Sequence, residues 1–149
     1  MSSKSNFMDW NDRFLLGISL IDEQHESLIG FANKLYLACF KDKDTGNKLF
    51  IQIAHDVIEY ARYHFHTEEK MMLLVDYCGF ENHKKEHENF INEILIQEQQ
   101  LSKENQFGSY RFVHFLKEWI LSHIAVFDKE FSGYFLNIKY LGDIRKMLA

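Results

Sequence analysis

HFHTEEKMM, residues 64–72, reads first of all as one face of a helix. His64 and Glu68 are four residues apart, so on an α-helix they stand one turn above each other on the same side. HKKEH, residues 83–87, repeats the device with His83 and His87. Each pair can grip one centre from one helix. Outward from these two stretches lie His25, in IDEQHESL (residues 21–28), and His123 with Asp128, in WILSHIAVFD (residues 119–128). Five histidines and two carboxylates are too many for a single structural zinc site, which closes with four ligands. They suit two metal ions that share bridging carboxylates.

The rest of the chain provides the helices that such a set needs. Its 149 residues include no proline and only 7 glycines, and its aromatic content is high, with 14 Phe, 7 Tyr and 2 Trp. So few breakers in a chain long enough for one real core imply long uninterrupted helices. The first helix is expected from Ser19 to Phe40, with Ser19 as N-cap and Asp22 and Glu23 in the first turn, where acidic charge suits the helix dipole. Residues 41–47 (KDKDTGN) read as a loop, and a second helix runs from Lys48 to Asp76. The CGF turn at 78–80 breaks it, Gly79 supplying the permissive backbone. A third helix covers Glu81 to Lys103, the polar stretch at 102–109 is the third break, and a fourth helix covers Tyr110 to Leu136. Residues 1–17 form an arm anchored by Phe7, Trp10 and Phe14, and 137–149 a short tail with one more helical turn or two. The whole chain, 1–149, is expected as one domain. Short breaks make neighbouring helices antiparallel, so the fold class is all-α, an up-down-up-down four-helix bundle.

In that bundle the start of the first helix, the end of the second, the start of the third and the end of the fourth share one end. All seven candidate ligands therefore meet at a similar depth. The remaining histidines fall elsewhere. His55 and His114 precede His64 and His123 by nine residues, and at about 100° per residue they point to the opposite side. His66, two after His64, also points away. One pair does not fit. His123 and Asp128 are five apart, which on an ideal helix turns them about 140° from each other. Either the carboxylate reaches sideways between the metals, or the helix carries a π-bulge between Ser122 and Asp128. The sideways reach is preferred, because π-bulges are rare.

Taken in order, the segments IDEQHESL, HFHTEEKMM, HKKEH and WILSHIAVFD resemble the hemerythrin family, in its single-domain bacterial form, over about residues 10–128. The resemblance implies a non-haem di-iron centre that binds O2 reversibly, with two Fe ions and a bridging oxo or hydroxo group. It implies that His83, His87 and His123 hold one iron, that His25 and His64 hold the other, and that Glu68 and Asp128 bridge them. The first iron then has six ligands and the second five, which leaves one position open for O2. Two ferrous ions against two carboxylates and one hydroxide make a nearly neutral cluster, far cheaper to bury than unpaired polar groups. Imidazole and carboxylate suit iron, and also zinc and manganese. Phe65, Trp119, Ile120 and Ile124 add apolar bulk beside the ligands, and the family's positions matching Trp119, Ile120 and Ile124 line the O2 pocket. Met71 and Met72 read as core fillers, and Glu69 as a solvated neighbour or an outer partner of the ligands.

Composition narrows the alternatives. The formal net charge is −5 with no basic stripe, so nucleic acid is not expected as a partner. No stretch approaches the roughly 20 apolar residues of a membrane span, and the N-terminus lacks a signal-peptide core. Cys39 and Cys78 are single and far apart, as suits free thiols in a reducing cytoplasm. O2 is the expected ligand and a monomer the expected state, with no protein partner identified. A fused signalling module is not seen, which favours carriage, storage or local delivery over sensing of O2 or nitric oxide, or iron sequestration. Ferritin-like oxidase sites use mainly carboxylates and Glu-x-x-His motifs. The histidine-rich set here favours binding over oxidation, so no enzymatic activity is expected.

Overall fold

The structure, a computed structural model, describes residues 7–41, 43–101 and 106–148. Their order is a short 3-10 turn (Asp12–Phe14), α1 (Ser19–Ala38), α2 (Lys43–Leu74), α3 (Phe80–Leu101), α4 (Gln106–His123), a π-helical turn (Ile124–Asp128) and α5 (Lys129–Leu148). The protein is all-α. α1 packs on α2 and α4, and α3 packs on the same two helices, which closes a four-helix bundle. Among the described residues, no helix is long and apolar enough to cross a membrane.

The arm is fixed from Phe7 onward. The Met8 backbone N–H donates to Asn33 Oδ1 at 2.8 Å, and Asn33 Nδ2 donates back to the Met8 carbonyl at 2.7 Å. Phe7 stacks on Tyr36 with ring centres 4.3 Å apart, and Lys117 Nζ sits 4.4 Å over its ring. Trp10 and Phe14 pack on the core as expected, and Met8, not singled out in the sequence, is buried with them.

Local boundaries depart from the sequence reading in informative ways. Ser19 is the first helical residue and not the cap, and the cap position falls on Ile18, which has no side-chain acceptor. Asp22, in the first turn, ties down the incoming chain instead. Its buried carboxylate reaches back to the N–H groups of Leu16 (2.9 Å) and Gly17 (3.2 Å), and Gly17 turns the chain there at φ +90°. The loop expected over 41–47 is shorter, because α2 begins at Lys43 and carries Gly46 within its helical backbone. One glycine costs a helix only about 1 kcal/mol, which a helix this long absorbs.

The turn after α2 is a Schellman motif built on an unexpected residue. Asp76, not Gly79, adopts the left-handed conformation (φ 50°). The Tyr77 N–H bonds the Met72 carbonyl at 2.9 Å and the Asp76 N–H bonds the Leu73 carbonyl at 3.3 Å. Tyr77 and Met72 meet in a small apolar cluster with Phe131. Gly79 is needed for space, since a Cβ there would come within 2.7 Å of the Tyr77 ring.

The expected tail is not a turn or two. α5 continues as helix to Leu148, and its first half is part of the bundle. Phe131, Tyr134 and Phe135 pack on the end of α2, where the Tyr134 hydroxyl donates to the Val75 carbonyl at 3.1 Å. Residues 102–105, within the third expected break, lie outside the described residues.

Candidate metal centre

All seven candidate ligands come together, and none is more than 2% exposed. They occupy a layer between two apolar clusters. On α2 that layer falls between Ala61 of the main core and Met72 of the smaller cluster. Along the fourth helix it falls between Ile120 and Phe131. His55, His66 and His114 are exposed, as their rotation about the helix axis requires.

The donors divide into two groups that share both carboxylates. One group is His83, His87, His123, Glu68 and Asp128, and the other is His25, His64, Glu68 and Asp128. Each carboxylate splits its oxygens between them. Glu68 Oε1 lies 2.9 Å from His64 Nε2 and 3.4 Å from His25 Nε2, while Oε2 lies 3.1 Å from His87 Nε2 and 3.3 Å from His83 Nε2. Asp128 Oδ2 lies 2.9 Å from His25 Nε2, and Oδ1 lies 3.0 Å from both His83 and His123 Nε2. His123 Nε2 is also 3.1 Å from the Nε2 atoms of His83 and His87.

These distances fit metal ions. Metal–nitrogen bonds of about 2.1 Å set neighbouring donors about 3.0 Å apart at right angles and about 3.4 Å apart in a tetrahedron. The 3.1 Å nitrogen–nitrogen separations match the right-angled, octahedral case. Moreover, both oxygens of Glu68 and of Asp128 are buried without a hydrogen-bond donor, as is His25 Nε2. Buried polar atoms left this way are costly unless something else satisfies them. Here they point at common centres rather than at each other.

The electrostatics agree. Burial pushes His25 and His83 down, but the close carboxylates of Asp128 and Glu68 outweigh it and raise both to about 9. Burial likewise opposes the charge on Glu68 and Asp128. The surrounding imidazoles prevail and hold both carboxyls well below their usual range. His123 is shifted the other way, its burial being the larger influence. The layer thus holds ionised carboxylates facing two imidazoles, His25 and His83, that carry protons unless a cation replaces them.

The π turn brings Asp128 into place. The Lys129 N–H bonds the Ile124 carbonyl, five residues back, so the turn holds one residue more than an α-turn. Asp128 thereby takes the place of an i+4 partner of His123. The preferred sideways reach from a regular helix is not what forms, because widening the turn lets Asp128 meet three histidines at 2.9–3.0 Å.

Aromatic rings hold the imidazoles in orientation. Phe65 stacks on His87 at 3.9 Å and Trp119 on His123 at 4.2 Å. A small cavity of about 10 Å³ is bordered by His25 and His64, with His123 and Asp128 also in its lining, and is walled by Leu28, Trp119, Ile120 and Ile124. Phe65 does not line it, since its ring is committed to His87 on the other side. Leu28 does, and its position three residues after His25 on the buried face of α1 is the signal the sequence offered. Gln24 is the other residue missed. It is buried and its Oε1 lies 2.7 Å from His64 Nδ1. A polar residue on the buried stripe of Ile21, His25 and Leu28 could have flagged it. Glu69 is an outer partner, with Oε2 3.4 Å from His87 Nδ1.

Comparison with known proteins adds three findings. The family model described as hemerythrin HHE cation binding domain matches residues 16–134. The chain is 33% identical to bacteriohemerythrin of Clostridium acetobutylicum over 129 residues, 82% of this chain and 96% of that protein, and 27% identical over 124 residues to myohemerythrin of Sipunculus nudus, 83% and 90% of the two. The fold is that of a solved structure of wild-type hemerythrin, with a TM-score of 0.75 at 22% identity over 85% of this chain and 96% of that one.

Proposed function

The chain belongs to the hemerythrin family, and from that premise we propose that it binds O2 reversibly at a non-haem di-iron centre, for oxygen carriage, storage or local delivery. His83, His87 and His123 would hold one iron, and His25 and His64 the other. Glu68 and Asp128 would bridge the pair, with an oxo or hydroxo group from solvent. The iron pair supplies an open coordination position and the electrons on which reversible O2 binding depends.

The observation that carries this reading is the unequal donor set, three histidines against two across shared carboxylates, with an apolar cavity that both histidines of the poorer side, and one of the richer, border. A cavity near 10 Å³ is about one water-sized sphere. It suits a diatomic gas and leaves no room for an organic substrate, which supports binding rather than turnover. Leu28, Trp119, Ile120 and Ile124 keep water and protons from the open side. His64 and His25 orient the two-histidine position, and the carboxylates hold the positive charge in a dry layer. The free thiols Cys39 and Cys78 suit a reducing cytoplasm. We take the working unit to be a monomer that needs neither membrane nor nucleic acid.

Stopped-flow mixing of the reduced, iron-loaded protein with O2 tests the reading. A visible absorption band should form on mixing and vanish when O2 is removed, and elemental analysis should give two irons per chain. Glu68→Gln, which keeps the shape but removes the bridging charge, should bring iron below one per chain. Irreversible consumption of O2, or one iron per chain in the parent, would defeat it.

A further inference from the structure

His64 and His87 both turn their second ring nitrogen away from the cluster, and they meet unlike partners. His64 Nδ1 lies 2.7 Å from Gln24 Oε1. Gln24 is itself held, because its Nε2 donates to Thr67 Oγ1 (3.4 Å), and the Thr67 hydroxyl donates to the Tyr63 carbonyl (3.1 Å). With Nε2 committed to Thr67, the amide oxygen faces His64. The proton of His64 therefore sits on Nδ1, and Nε2 is bare toward the centre, 2.9 Å from Glu68 Oε1. His87 Nδ1 instead meets a carboxylate, Glu69, at 3.4 Å. Glu69 borders an open groove between α2 and α3, whereas Gln24 is sealed. Among the described residues, the ring nitrogens Nδ1 of His25, His83 and His123 have no hydrogen-bond partner. On the two-histidine side, Gln24 is thus the one described group that fixes a ligand's tautomer.

We propose that Gln24 is a positioning residue for the two-histidine metal position alone, setting the tautomer and aim of His64 with an uncharged acceptor where the three-histidine position uses a charged one. This rests on the two-metal reading above. An amide draws on the Nδ1 proton less than a carboxylate does, so His64 is a weaker donor than it would be beside an acid. Partners of this kind typically change metal affinity by about 10- to 100-fold when removed. That loss should fall on one metal of the two, because the ligand that Gln24 hydrogen-bonds, His64, belongs to one donor group alone.

The test is a Zn2+ titration of the full chain, with proton spectra of the Zn2+-loaded protein, for the parent, Gln24→Leu, Gln24→Glu and the milder Thr67→Val. The parent should bind two Zn2+ and show a slowly exchanging His64 Nδ1 proton. Gln24→Leu should weaken one Zn2+ site by about 10-fold or more, spare the other, and lose that resonance. Thr67→Val should weaken the same site to a lesser degree. Gln24→Glu should restore both affinity and resonance, with the resonance moved further downfield. If Gln24→Leu leaves both affinities unchanged, or lowers both equally in step with its thermal midpoint, Gln24 only packs and the proposal is overturned. If the parent itself binds a single Zn2+, the two-metal reading fails first and takes this proposal with it.

Discussion

Glu68 has no contact with solvent and lies within 3.4 Å of four imidazole nitrogens. Such a carboxylate makes stability depend on pH in two opposed ways. Without metal, His25 and His83 keep their protons to about pH 9, against an ordinary value of 6.5. Their contribution to the fold is complete below pH 6.5 and is lost as pH rises through 9. Glu68 and Asp128, held low, contribute above the ordinary carboxylate range and lose that contribution only as pH falls through their depressed values. With metal bound the histidines must be neutral, so protons compete and rising pH strengthens the centre. Thermal melts at pH 6 and pH 9.5 should therefore show the chelator-treated protein losing stability at the higher pH and the iron-loaded protein keeping it. A second expectation concerns the cavity wall. Ile120→Ala should cost about 2–5 kcal/mol, as large-to-small core changes do, and should speed autoxidation while iron content holds, as read from the decay of the oxygenated absorption. His64, Glu68, His83 and His87 were legible because spacing alone aligns them in pairs, and His25, His123 and Asp128 were legible from the end of the bundle that topology assigns them. Gln24 and Leu28 were missed, because neither residue type signals a site and their place on the buried stripe beside His25 was the one cue.

Helix ends were the least legible elements, and the physical reason differs at each. At α1 no side chain caps the first turn, and a carboxylate inside the helix, Asp22, fixes the entry by reaching backward to Leu16 and Gly17. After α2 an aspartate takes the left-handed position that glycine would fill most easily. Both solutions depend on which side chain bends toward which amide, and periodicity carries no record of that. The five-residue spacing of His123 and Asp128, by contrast, showed in the sequence that something must give. The π turn implies a deletion experiment. Ala125 is exposed on that turn, and removing it leaves a four-residue spacing that a regular α-helix aligns. The Ala125 deletion should keep both metals. Deleting Thr67, between His64 and Glu68 on α2, should cost metal, because it turns Glu68 and all that follows on the helix about 100° relative to His64. Elemental analysis of the two proteins decides, and equal loss in both would refute the account.

At the scale of the molecule, four helices of alternating direction were legible from the absence of proline and the three breaks, and the shared depth of the ligands followed from topology. The length of α5 was not, since residues 137–148 carry no strong apolar period and the order of that stretch comes from continuity with Phe131 and Tyr134. The layer of ligands also divides along the chain. α1 and α2 provide His25, His64 and Glu68, and everything after the turn at Tyr77 and Phe80 provides His83, His87, His123 and Asp128. Each donor group borrows its second carboxylate from the opposite half, Asp128 in one case and Glu68 in the other. The centre is therefore a cross-stitch between two hairpins joined by a single short turn, and a chain cut there would give two peptides that each hold an incomplete chelate. Peptides 1–77 and 79–149, mixed in solution, are expected to pair more tightly in ferrous iron or zinc than in chelator, as measured by sedimentation or by fluorescence transfer between labelled ends. The pairing would report metal as a split-protein switch does, with the two carboxylates as its clasp.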